Sequence, residues 1–215
     1  RQTLIDALAA NFDGYEKERQ MLLNFAPKYG NDDFEADAMA ARVLDLFWSE
    51  CGKYKSIRGD VYTGACSLLQ GGIAYGRVTG ALPDGRFAGE PHGNSIGPRP
   101  GADKIGVSAM LSSVAKLPLQ KGVGGTTLNV VLTTKLLSNP ALRENIAATM
   151  RTYLMNGGQM AQITTANLED LLDAQEHPER HGDLIVRIGG FSIHFVQLDR
   201  GSQDEVISRY NGSNA

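Results

Sequence analysis

Along the first fifty residues apolar side chains return at helical spacing. Leu4, Leu8 and Phe12 recur every four positions, and Met21, Leu22 and Phe25 resume an apolar face after Asp13-Gly14, so residues 3–26 read as two helices. Pro27 to Asn31 form a turn, and Asp32 or Asp33 can cap a third helix in which Phe34, Met39, Val43, Leu46 and Phe47 keep the rhythm to about Glu50. The Met and aromatic positions of these helices are expected in the core. From Ile57 the pattern breaks into glycine-punctuated segments ending in the turn Pro83-Asp84-Gly85-Arg86. Residues 106–117 read as a helix and Thr126–Thr133, rich in Val, Leu and Thr, as a buried strand. A helix with Asn139 as cap, Pro140 in its first position and Gly157 past its end follows. A second strand (Met160 to Thr165), a helix capped by Asn167 and ending near His177-Pro178, and a third strand (Leu184 to Ile188) complete a β-α-β-α-β alternation. That alternation predicts an α/β fold with parallel strands. Ser202 and Glu205 offer a capping box for a last helix before the tail dissolves into Asn211-Gly212-Ser213-Asn214.

Composition narrows the function classes. Lys and Arg number 21 against 24 Asp and Glu, a net charge of −3, which argues against nucleic acid or an anionic membrane held by bulk charge. No window approaches an uninterrupted apolar membrane span and no signal peptide opens the chain, so a soluble, cytoplasmic protein is expected. Cys51 and Cys66 lie in unrelated contexts without zinc-like spacing and read as buried, reduced thiols; no metal site is indicated. The 25 glycines are about twice the usual share.

Conventional catalytic motifs are missing. His92, His177, His181 and His194 show no HExxH spacing, and neither a GxSxG elbow nor a GxxxxGK[ST] loop occurs, so hydrolase and kinase readings lose their support. The stretch Lys121 to Thr127 looks like a phosphate cradle but leads into a strand, where a phosphate loop should open a helix. His194 alternates with Phe191, Ile193 and Phe195 and reads as the polar side of a strand. What remains is the run from Asp183 to Leu198, an apolar strand that reaches Gly189-Gly190 and returns as an apolar segment. By spacing alone this is a tight turn inside a core.

The run resembles the C-terminal signature of the glycyl radical enzymes, RVxG[YF] followed by Phe four residues after the aromatic. Arg187, Ile188, Gly190, Phe191 and Phe195 fill it, with Ile in place of Val. Blocks in the same order extend the resemblance over essentially the whole chain: Asn11 to Glu16, Lys28 to Asp32, Pro83 to Arg86, Ser112 to Leu117, Leu171 to Gln175 and Asp204 to Arg209.

The resemblance implies that residues 1–90 are the C-terminal part of a helical and barrel scaffold and residues 91–215 the glycyl radical domain, with helices around parallel strands and a buried glycine loop. It implies that Gly190 carries the radical. A Cα radical between an amide nitrogen and a carbonyl is delocalised only if the centre flattens, and glycine alone has no Cβ to interfere. Ile188, Phe191 and Phe195 would exclude water and oxygen. Gly189 would supply the hinge, and Arg187 a structural role. No bound cofactor is implied; the radical would be installed by an activating enzyme that uses S-adenosylmethionine and an iron–sulfur cluster.

The family's Cys-x-Glu loop is not found, since Cys51 precedes Gly52-Lys53 and Cys66 precedes Ser67-Leu68. Together with a start at Arg1, this leads to the expectation of a C-terminal portion, partnered by an N-terminal portion or subunit bearing the catalytic cysteine. A homo-oligomer and a small-molecule substrate are implied as well. Met160 and Thr164 stand where many lyases of the family have His and Asn, while Gln162 matches, which leaves the substrate open; within the family's lyase or acyltransferase class the reading leans to a lyase, either dehydratase or decarboxylase. Asn129 and Gln162 become candidate walls of the active site, or satisfied buried amides. Two alternatives stay open: a non-catalytic radical-donor subunit that repairs an oxygen-damaged enzyme, and a plain α/β binding module in which Gly189-Gly190 is only a turn.

Overall fold

The computed structural model describes residues 1–67, 71–188 and 191–213. Three helices open the chain: α1 (Gln2–Ala9), α2 (Glu16–Asn24) and α3 (Phe34–Cys51). Asp33 caps α3 by accepting from the Ala36 N–H at 2.9 Å, as its position before the apolar run requires. A short α4 (Gly71–Arg77) precedes the Pro83 turn, and α5 (Val107–Ala115) lies where the spacing puts it.

Strand β1 (Leu128–Leu132) is followed by a short α6 (Thr134–Ser138), which the sequence reading lacked, and by α7 (Pro140–Met155). Asn139 caps α7 through the Ala141 N–H, and Gly157 takes a φ of +106° just past its end, a left-handed angle that glycine adopts without strain. The crossover returns the chain as β2 (Ala161–Thr165), parallel to β1 with Asn129 opposite Gln162. Then come α8 (Leu168–Glu176), β3 (Ile185–Ile188), β4 (Phe191–His194) and α9 (Arg200–Ser213).

The architecture is α/β with a parallel strand pair, but β3 does not extend that pair. It forms an antiparallel hairpin with β4, Ile188 opposite Phe191. A two-residue link makes β3 and β4 antiparallel partners, although α8 gives β3 a crossover long enough for a parallel place beside β2. The last helix also begins earlier than its expected capping box. Asp199 is the cap, accepting from the Ser202 N–H and hydroxyl, and the helix runs on through Asn211 and Gly212.

The two faces of β1 divide the core. Leu128, Val130 and Leu132 join Met110, Leu111, Val114, Leu119 and Tyr153 on one side, while Val131 joins Leu171, Ala174, Val186, Ile188, Phe195, Val206 and Tyr210 on the other. Trp48 closes the first cluster by lying against Gly64 and Gly122, where a methyl on either glycine would overlap the indole. Part of the glycine excess is therefore close packing. The apolar positions of α2 and α3 depart from expectation: Phe25, Phe34, Met39, Val43, Leu46 and Phe47 are exposed, Phe25 at 83%, and Trp48 is the apolar residue that α3 buries. Helical spacing reports an apolar face, and the described residues supply no element to cover this one.

Asp37, buried on α3, shows how that helix is anchored. Lys116 donates to its Oδ2 at 2.7 Å and also pairs with Asp32 at 2.6 Å. These contacts, that to Asp32 first and that to Asp37 second, raise the Lys116 pKa above its ordinary 10.5. A raised folded-state pKa means that the pair's contribution is complete below 10.5 and is lost as pH climbs through the higher value. Lys116→Met should cost about 1–2 kcal/mol near neutral pH, a figure kept small because the lysine is partly exposed. The deficit against the native protein should shrink as pH climbs beyond 10.5, read from urea midpoints on either side of it.

Candidate functional site

The hairpin presents the residues that the motif singles out. Val186 and Ile188 of β3 and Phe195, just after β4, are buried against α8 and α9 through Leu171, Ala174, Val206 and Tyr210. Gly189 and Gly190 lie outside the described residues. Of their expected apolar guards, Ile188 and Phe195 are buried, whereas Phe191 is 48% exposed. Phe191 pairs with Ile188 and so lies on the hairpin's core side, but it sits at the hairpin's end, beyond the reach of α8 and α9, where the cluster leaves it half-exposed. Arg187, opposite Ser192, lies on the exposed face of β3. His194 ends β4 partly buried, with Nδ1 enclosed and no hydrogen-bond partner among the described residues.

One strand pair away, Asn129 and Gln162 sit opposite each other on the β1–β2 face that also carries Val131 and Thr164. Period two places all four on the side away from the first core cluster. Asn129 Nδ2 donates to Asn94 Oδ1 at 2.7 Å, and Asn94 Nδ2 donates to Glu205 Oε1 at 2.7 Å. The Ser95 hydroxyl also donates to Asn94 Oδ1, at 3.1 Å. Glu205 thus comes from α9, Asn94 from the loop before α5 and Asn129 from β1. Sequence reading gave Glu205 only a capping role and missed Asn94, because partners 35 and 111 residues apart leave no local signature.

The orientation of these amides is fixed by chemistry. A carboxylate can only accept, so the Asn94 NH2 must face Glu205 and its carbonyl must face Asn129. The Asn129 NH2 must then face Asn94, which leaves Asn129 Oδ1 turned away. That oxygen and Gln162 Oε1 are both buried and have no hydrogen-bond partner among the described residues. Neither amide is the satisfied core amide that was the bland alternative. Beside Asn129 lies a cavity of about 50 Å3 walled by Asn94, Gly97, Pro98, Asp103, Met110 and Val131. Burial pushes the Asp103 carboxyl above its usual range.

The other candidates fall elsewhere. The glycines before β1 open no helix: the chain runs from a 3-10 turn (Leu119–Lys121) through residues 122–127 into the strand, and Lys121 pairs with Asp45. Cys51 ends α3 and Cys66 bridges in parallel to Thr126. Both are free thiols, partly rather than fully buried, because each sits where an element meets a glycine-rich loop. Burial raises the Cys66 pKa, the wrong direction for a reactive thiolate. Met160 is 40% exposed and Thr164 is buried.

Comparison with known proteins matches this layout over nearly the whole chain. Residues 93–196 match the family model described as "Glycine radical" and residues 1–70 the model "Pyruvate formate lyase-like". The chain is 36% identical to the probable dehydratase YbiW of Escherichia coli (strain K12), covering 97% of the chain and 27% of that protein. It is 35% identical to the trans-4-hydroxy-L-proline dehydratase of Clostridioides difficile, covering 96% of the chain and 26% of that protein. The structure of the B12-independent glycerol dehydratase from Clostridium butyricum, with glycerol bound, superimposes with a TM-score of 0.92 at 32% identity, over 97% of the chain and 26% of that protein. The chain thus spans about a quarter of the length of the relatives it matches. With both family models matched in chain order, dehydratase relatives aligned over nearly the whole chain and the motif on the β3–β4 hairpin, the chain belongs to the glycyl radical enzymes.

Proposed function

We propose that this chain is the radical-bearing part of a glycyl radical lyase of the dehydratase type, with the radical on Gly190. Residues 1–90 act as scaffold and residues 91–215 as the radical domain. The observation that carries the reading is the hairpin: Arg187, Ile188 and Phe191 stand in motif spacing on two antiparallel strands, with Phe195 just after the second, inside the segment that matches the glycine radical model. Dehydratases among the matched relatives support the lyase class. Among the described residues no helix is long and apolar enough to cross a membrane, in keeping with work in the cytoplasm.

In this reading an activating enzyme, using S-adenosylmethionine and an iron–sulfur cluster, removes one hydrogen atom from the Gly190 Cα. The stored radical then takes a hydrogen atom from a cysteine thiol supplied by the remaining portion of the enzyme, and the thiyl radical takes one from a small substrate. This chain's own residues hold the glycine: Ile188 and Phe195 anchor both arms of the hairpin in an apolar cluster from which water is excluded.

Oxygen adds to a carbon radical and breaks the backbone there, so the activated intact protein should be cut by air at residue 190. The released fragment would begin at Phe191 and carry α9. Intact mass before and after exposure reads this directly. An uncut chain whose radical was first verified by electron paramagnetic resonance would overturn the assignment to Gly190.

A further inference from the structure

Helix α3 is apolar on two opposite sides. Ala40, Ala41, Leu44 and Trp48 pack against the first core cluster, and Asp37, on the same side, takes the Lys116 ammonium. About half a turn round the helix, Met39, Val43, Leu46 and Phe47 follow at i, i+4, i+7 and i+8, the spacing of a buried stripe. They are 56, 59, 62 and 49% exposed. A surface helix turns a polar face to water opposite its apolar one, and a helix apolar on both sides belongs between two layers of a larger core. The described residues supply one of those layers. A second uncovered apolar surface lies shortly before α3 in the chain: a groove of about 450 Å3 between α1 and α2, lined by Leu4, Met21, Leu22 and Phe25.

We propose that the outer face of α3 is a docking surface for the portion of the enzyme that the relatives carry beyond the quarter this chain matches. Helix α3 lies in residues 1–70, the segment matched by the pyruvate formate lyase-like model, and the chain covers 27% and 26% of two dehydratase relatives. A core assembled from so much more chain has layers to set over α3. Size argues against a symmetric pairing of α3 with a second copy. Half-exposed, four side chains of this kind offer about 400 Å2, about half of the ~800 Å2 that each partner contributes to a stable dimer. Such an area suits one contact among several made by a large portion, with the α1–α2 groove as a further one. The occupant's identity rests on the proposed reading of this chain as one part of a glycyl radical lyase, whereas the two-sided helix stands without it.

Thiol labelling of the intact, unactivated enzyme tests this. Val43→Cys replaces one small apolar side chain by another and so spares the fold. The variant is treated with a maleimide, and peptide masses separate position 43 from native cysteines such as Cys51 and Cys66. The new thiol should react at least about a hundredfold more slowly than in the urea-unfolded enzyme, and equally slowly at concentrations where any oligomer has dissociated. Reaction at the unfolded rate would overturn the proposal, because it leaves this face of α3 in water. Protection that disappears on dissociation would overturn it as well and give the face to a second copy. Leu46→Glu supplies a second measurement. It sets an unpaired carboxylate between packed layers, so the intact enzyme should lose several degrees of Tm or fail to fold. A Tm within about 2 °C of the native value would again place α3 in water. Radical content after activation is measured separately: a missing glycyl doublet would count against Gly190 and leave the labelling result standing.

Discussion

Replacing Gly190 by alanine is expected to abolish the organic radical outright. The intact enzyme, activated without oxygen, should give a carbon-centred doublet in electron paramagnetic resonance that is absent in Gly190→Ala, and turnover should fall to background with it. The reason lies in the geometry of the radical. Its unpaired electron spreads into the amide nitrogen on one side and the carbonyl on the other only while the Cα and its two peptide planes are nearly coplanar. A Cβ at that position meets the neighbouring carbonyl or amide hydrogen as the centre flattens, so an alanyl radical loses the delocalisation that makes storage possible. Alanine is small, and the hairpin's anchors, Val186, Ile188 and Phe195, lie outside the substitution. Stability should therefore change little while the radical is lost. Gly189→Ala supplies the control. It stiffens the chain beside the radical without removing the abstractable hydrogens of Gly190, so it should slow activation and preserve the doublet. A doublet surviving in Gly190→Ala, or equal loss in both variants, would move the radical off Gly190 and return the hairpin to the status of a turn.

The route from sequence to this expectation was uneven, and the unevenness has physical causes. Caps and turns were readable because they are local: Asp33, Asn139 and Gly157 act on backbone groups within a few residues. Strand positions were readable from apolar runs, but not the partner of β3, since period and composition do not say which edge a strand joins. Burial on α2 and α3 was misjudged because an amphipathic pattern marks a face and not what covers it. The amide relay escaped because its three members come from a glycine- and proline-rich loop, a strand and the last helix, and only the fold brings Asn94 within 2.7 Å of both Glu205 and Asn129. The same is true of Arg86, which was noticed only as part of a sequence block.

Arg86 makes the second large prediction. Its side chain is completely buried and has no carboxylate partner among the described residues. The guanidinium instead closes the C-terminal end of α4: Nη2 donates to Gly76 O at 2.8 Å, Nη1 to Gly80 O at 2.8 Å and Nε to Glu90 O at 2.9 Å, with Nη2 reaching Glu90 O as well. Three carbonyls from both sides of the Pro83 turn are thus satisfied by one planar fork. Gly76 permits the arrangement, because a side chain there would overlap the Glu90 carbonyl. Arg86→Met fills much of the space and leaves the carbonyls orphaned at about 1–3 kcal/mol each, so a loss of about 3 kcal/mol or more is expected after relaxation. For a chain of this size that corresponds to a Tm lower by about 6–12 °C. Lysine should not rescue it, since a single ammonium cannot span carbonyls that a fork reaches from three nitrogens. The consequence should travel along the chain: His92 N–H bonds the Gly72 carbonyl at 3.0 Å, and two residues later Asn94 enters the amide relay. Disordering the α4 end therefore loosens the loop that orients Asn129. Arg86→Met should lower the Tm, read by calorimetry on the intact protein. A Tm within about 2 °C of the native value in Arg86→Met would show that the carbonyls find other donors and that the clamp is dispensable.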